Sequence, residues 1–174
     1  YASTLLPVWM QAARGHTGEE KTFVDALVSA NADVIDLEMA LPACAYACAR
    51  AGPVAPRMDL VALEAVPGTS DHRIVFWEAK RVTDGRVRCR GDAAPEVVAQ
   101  LSAYTQWLAH GDHRVVVAAA YQQCCRDLVA FHALASTLRD DLLPLGAAIL
   151  AVAAPAAPSP LVDDAPRLII DDRQ

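Results

Sequence analysis

The sequence predicts an α/β fold, a mixed central sheet between helices, and three observations carry that prediction. Two amphipathic helical repeats bracket a pair of apolar, β-branched runs. Those runs are joined by a short Pro-Gly connection. Of the 174 residues, 54% are hydrophobic and 21% charged, which suffices to bury one core. A single domain over residues 1–174 accommodates the pattern, with a core over about 17–153 and an Ala/Pro-rich, acidic C-terminal segment over 154–174.

Taken in order, Thr17-Gly18-Glu19-Glu20 fits a capping box, and Phe23, Ala26, Leu27 and Ala30 follow at helical spacing, which predicts a first helix over about 17–32. Val34 to Leu41 reads as a strand. Ala43 to Arg50 reads as a helical turn before Gly52-Pro53-Val54-Ala55-Pro56 breaks the chain. Two extended segments follow, Arg57 to Glu64 and Arg73 to Arg81, and the connection Val66-Pro67-Gly68-Thr69-Ser70-Asp71 suits a hairpin. Pro95 and Glu96 open a second helix with an apolar face of Val97, Val98, Leu101, Thr105 and Leu108, and Gly111 sits where a C-terminal cap belongs. Arg114 to Ala120 is a continuous β-branched and alanine run, which predicts a strand buried on both faces, and Gln122 to Leu142 reads as a third helix. Ala147 to Ala153 predicts a further buried strand, and Leu168-Ile169-Ile170 a last short one.

Composition narrows the function classes. The net charge is −6, whereas a protein that coats nucleic acid without specificity is usually basic, so any nucleic-acid site is local. Cys44, Cys48, Cys89, Cys124 and Cys125 are odd in number and form no CxxC pair, which predicts reduced thiols and a cytoplasmic setting. Their spacings match no zinc ribbon or finger, and the histidines form no HxH or HExxH arrangement. The longest uncharged run, Leu142 to Val162, is interrupted by Pro144, Pro155, Pro158 and Pro160, so no membrane span is expected. Neither a GxSxG elbow nor a P-loop is present.

The chemistry concentrates in the hairpin. Along Ile74-Val75-Phe76-Trp77-Glu78-Ala79-Lys80 the two-residue period puts Ile74, Phe76, Glu78 and Lys80 on one face, with Trp77 on the other as a packing residue. Asp59 lies within the apolar run Met58 to Leu63, and hairpin pairing lets it approach Glu78. Two converging carboxylates and an amine are costly to bury without purpose.

Asp59, with Glu78-Ala79-Lys80 on the next strand, resembles the signature of the PD-(D/E)XK nuclease superfamily. Gln100-Leu101-Ser102-Ala103-Tyr104 on the second helix is similar to the QxxxY motif of its exonuclease-like, RecB-type branch. The resemblance runs from about residue 17 to 120, with Met58 where the motif's name has Pro. It implies a restriction-endonuclease-like fold with core order αβββαβ and metal-dependent phosphodiester hydrolysis. In that scheme Asp59 and Glu78, with the Ala79 carbonyl, would hold Mg²⁺ or Mn²⁺. Lys80 would orient the nucleophile or stabilise transition-state charge, and Gln100 and Tyr104 would position the site or contact the strand. A first-helix acid commonly completes such sites; Glu20 is the candidate, with Glu19 and Glu38 as alternatives and a helix cap as its ordinary role. DNA is the substrate the resemblance favours, with RNA as the alternative.

From Lys80 to Arg90 five cations, Lys80, Arg81, Arg86, Arg88 and Arg90, face the single Asp84. Such a local excess suits phosphate contacts beside the scissile bond, and equally a solvated loop. The alternative function is a catalytically inactive nuclease-fold module that binds a protein or nucleic-acid partner, or a second copy of itself.

Overall fold

The computed structural model describes residue 11 and residues 18–40 and 57–172; Thr17, the Ala43–Arg50 turn, Cys44 and Cys48 lie outside them. The elements are α1 (Glu19–Ala30), β1 (Val34–Ala40), β2 (Arg57–Ala65), β3 (His72–Arg81), a 3₁₀ turn (Gly85–Val87), α2 (Glu96–Ala109), α3 (His113–Ser136), α4 (Ala147–Ala153), β4 (Leu161–Val162) and β5 (Arg167–Asp171). They build a mixed α/β domain in which helices cover both faces of one sheet.

The sheet grows outward from the β2–β3 hairpin. Its connection turns at Pro67-Gly68, where Gly68 adopts φ 78°, a left-handed geometry that costs glycine little. The strands pair antiparallel in the register Leu60↔Trp77, Val61↔Phe76 and Leu63↔Ile74. β1 pairs antiparallel with β2 through a register shift between Val34 and Asp36. On the far edge of β3, β4 and β5 both pair parallel, at Arg73–Ile74 and Trp77–Arg81 respectively. Residues 154–172, set apart by composition, therefore supply two strands of the sheet.

Alternation divides the core in two. Val61, Leu63, Ile74 and Phe76 face Tyr104, Trp107 and Leu108 of α2, together with α3 and α4. Leu60, Trp77, Ala79 and Ile169 face Phe23, Val24, Leu27 and Val28 of α1. The α1 stripe is thus rotated from the expected one, with Ala26 and Ala30 exposed. On α2 the buried face is Val97, Tyr104, Trp107 and Leu108, whereas Val98 and Thr105 point to water. Gly111 follows the His110 C-cap at φ 49°, as the cap reading expects.

Two expected strands are helical. Arg114–Ala120 opens α3, whose buried residues Val117, Ala118, Tyr121, Gln122 and Cys125 repeat with helical period. Only one stripe of this run is covered; Val115 and Val116 are 69% and 63% exposed. The three alanines that follow propagate a helix readily, and β-branching is too weak a preference to oppose it. Ala147–Ala153 is also a helix, buried through Ala148, Ile149 and Val152. Its start is capped from afar by Asp33 Oδ1, which accepts from the amides of Ala148 (3.0 Å) and Ile149 (3.3 Å). Among the described residues no helix is long and apolar enough to cross a membrane.

Candidate active site

The hairpin ladder ends at Leu60↔Trp77, and one residue further a side chain takes over from the backbone. Asp59 Oδ2 accepts the Ala79 amide at 2.8 Å, which fixes the carboxylate against β3. Glu78 and Lys80 are 2% and 1% exposed, among the few charged residues so deeply buried. The Lys80 ammonium lies 2.6 Å from Glu78 Oε1, 3.4 Å from Asp59 Oδ2 and 3.2 Å from Glu20 Oε1, and donates to the Ala79 carbonyl at 2.8 Å. The expected catalytic trio and its first-helix acid thus meet at one point. The chain contains only two lysines, Lys21 and Lys80, and spends one of them here.

Glu20 reaches this point because the helix starts one residue later than the capping box implies. Gly18 is the N-cap and makes no side-chain cap bond, so Glu20 is released from capping and turns toward the sheet. Glu19 instead pairs with Arg81. Glu38 takes no part. It is 69% exposed, pairs with Arg57 at 3.5 Å, and has an unusual φ of 55°.

Gln100 and Tyr104, one turn apart on α2, hold Glu78 from the other side. Gln100 Nε2 donates to Glu78 Oε1 at 2.7 Å and to the Tyr104 hydroxyl at 2.6 Å. Tyr104 OH donates to the Arg57 carbonyl and lies 3.2 Å from Glu78 Oε2. Gln100 and Tyr104 on this helix are therefore aimed inward, at the sheet. Among the described residues every buried side-chain nitrogen and oxygen has a partner.

Burial, reinforced by the charge of Asp59, raises the Glu78 carboxyl above its ordinary value even though Lys80 opposes the shift. Burial disfavours the charge on Lys80, but the hydrogen bond to Glu78 and the charges of Glu78, Asp59 and Glu20 outweigh it, so Lys80 is also raised and stays cationic. Burial first, and then the nearby Glu78 charge, keep the Tyr104 phenol protonated.

The expected phosphate-binding arginines divide. Arg86 is engaged at the site rim: Nη2 lies 2.5 Å from Asp84 Oδ2 and 3.3 Å from Glu20 Oε2. Arg88 donates to the Val82 carbonyl at 3.3 and 3.1 Å, and Arg90 is exposed on the same loop. Asp84 was legible only as one acid among cations. Its role follows from the Asp-Gly-Arg turn, where Oδ1 caps the Arg86 amide at 2.8 Å and fixes the guanidinium.

The donor set suits a hard cation. Two carboxylates and a carbonyl converge, and Mg²⁺ is commonly held by one or two carboxylates with the remaining positions left to water or substrate phosphate. Among the described residues no group of three or more His, Cys, Asp and Glu side chains is placed to hold a metal ion, so the remaining ligands here would be the Ala79 carbonyl and water or substrate oxygens. Burial pushes the Cys124 and Cys125 thiols up, Cys125 to about 11, which disfavours their thiolate forms. An apolar groove of about 460 Å³ between Trp107 and Tyr121 contains none of these site residues. No protein-family model matches the chain, and no curated protein or solved structure matches it either.

Proposed function

We propose that the protein is a divalent-metal-dependent nuclease that hydrolyses DNA phosphodiesters on a restriction-endonuclease-like core. The observation that carries this reading is the convergence of Asp59, Glu78 and Lys80 from two strands with Glu20 from α1, braced by Gln100 and Tyr104. The element order also supports it. The αβββα run is followed, after the two further helices α3 and α4, by strands parallel to β3.

Asp59 and Glu78, with the Ala79 carbonyl, hold Mg²⁺ or Mn²⁺. When bound, such an ion would supply Lewis-acid charge and lower the pKa of a coordinated water. Gln100 and Tyr104 fix the Glu78 rotamer, so the carboxylate need not reorganise when substrate arrives. Lys80 supplies a permanent positive charge to a non-bridging phosphoryl oxygen. Arg88 and Arg90, on the adjoining loop, neutralise flanking phosphates. An RNA substrate would use the same groups.

A second reading has its own observation. Phe131, Leu134, Leu138 and Leu143 are 63–79% exposed at one end of α3 and just beyond it, a surface that suits a protein partner or second copy.

The test is cleavage of single- and double-stranded DNA and RNA by the purified chain with Mg²⁺ or Mn²⁺. We expect chelator-sensitive DNA cleavage that falls about a hundredfold or more in Lys80→Ala. Cleavage unaffected by that substitution would refute the assignment, because Lys21 is exposed and not among the groups that meet at this site.

A further inference from the structure

The lysine and the proposed ion compete for the same atoms. Glu78 Oε1, Asp59 Oδ2 and the Ala79 carbonyl are the donor set assigned to the metal, and all three are already in contact with Lys80 Nζ, at 2.6, 3.4 and 2.8 Å. With Glu20 Oε1 at 3.2 Å, four oxygens surround an ammonium that has three N–H donors. A divalent ion demands these oxygens at roughly 2.0–2.1 Å. It cannot share them with a second cation held at hydrogen-bond distance, since like charges in a poorly solvated site repel strongly.

Resting on the metal-dependent reading, we infer that Lys80 is the resident counter-ion of this site and that metal binding expels its ammonium from Glu78 and Asp59. Before the ion arrives, Lys80 keeps three acids, Glu20, Asp59 and Glu78, from repelling one another. Once displaced, the same ammonium is free to turn toward a phosphoryl oxygen. One side chain thus serves as placeholder in one state and as electrostatic partner of the substrate in the other, and the exchange ties its availability to metal loading.

The lysine content makes this directly observable. Of the two lysines, Lys21 is exposed and Lys80 is buried, so the wild-type protein should give one slowly exchanging lysine ammonium signal in ¹H–¹⁵N spectra. Titration with diamagnetic Mg²⁺, followed in parallel by calorimetry, should remove or shift that signal in step with binding. Lys80→Met should bind Mg²⁺ about tenfold tighter or more. Removal of a merely repulsive charge would also tighten binding, but it would leave the wild-type ammonium in place. Calorimetric binding with that signal unchanged therefore overturns the inference alone. Absence of Mg²⁺ binding by both proteins overturns it together with the metal-dependent reading. If Lys80→Met does not fold, the wild-type titration decides the matter.

Discussion

At the scale of single residues, the site is an electrostatic balance that a few hydrogen bonds hold in place. Gln100 donates to the Glu78 oxygen that also faces Lys80, so it sets where the carboxylate points. Gln100→Ala should weaken Mg²⁺ affinity about tenfold in calorimetric titration, the usual cost of losing a group that orients a ligand; unchanged affinity would return Gln100 to an ordinary helix face. Asp84 supplies a pH signature. The hydrogen bond from Arg86 holds its carboxyl down to about 2, against 3.8 ordinarily. The folded state therefore binds fewer protons between those values, and the stabilisation, complete above pH 3.8, fades as pH falls toward 2. With allowance for solvent at the half-exposed Arg86, it amounts to about 1 kcal/mol. Asp84→Asn should be less stable than wild type at pH 5 by about that much, with the gap closing toward pH 2 in denaturant unfolding followed by circular dichroism. A gap independent of pH would contradict the ion pair. Asp59, Glu78 and Lys80 were legible because the strand period and hairpin pairing bring them near one another, whereas Gln100 and Tyr104 were legible only through the motif they resemble. Glu20 was ambiguous because Thr17 offered a competing cap, and Arg86's engagement by two acids needed the fold to be seen.

At the scale of elements, local signals succeeded where the chain decides locally. The β2–β3 hairpin follows from its Pro-Gly turn, and the end of α2 follows from Gly111. They failed for Arg114–Ala120 and Ala147–Ala153, where a β-branched or alanine run is compatible with either structure and neighbours arbitrate. For α4 the arbiter is Asp33, more than a hundred residues away in sequence, whose carboxylate caps the Ala148 and Ile149 amides. Gly146 leaves room for it: a Cβ there would collide with the Asp33 carboxylate and the Ala32 carbonyl. Asp33→Ala should cost about 1 kcal/mol in urea unfolding as a lost cap. Gly146→Ala should cost about 1–3 kcal/mol as overpacking. Wild-type stability in both variants would mean that α4 does not depend on this contact.

At the scale of the whole molecule, α1 lies on one face of the sheet, α2 to α4 lie on the other, and the carboxylates gather where the β2–β3 ladder ends. The α/β class was readable from alternating elements. Leu168-Ile169-Ile170 was readable as a short strand and lies within β5; β4 and the parallel pairing of both strands with β3 were not, because the partner positions on β3 lie about ninety residues earlier and a two-residue strand carries little pattern of its own. The molecule's net charge of −6 makes a metal ion central to the proposed activity. An acidic chain that acts on a polyanion needs a cation at the point of reaction, and the arrangement of Asp59 and Glu78 would localise one there. The most direct test is therefore calorimetric titration of Mg²⁺ and Mn²⁺ into the wild type and Asp59→Ala side by side. We predict saturable binding by the wild type that is lost in the variant; equal binding by both proteins, or none by the wild type at millimolar metal in the presence of a DNA oligonucleotide, would contradict the account.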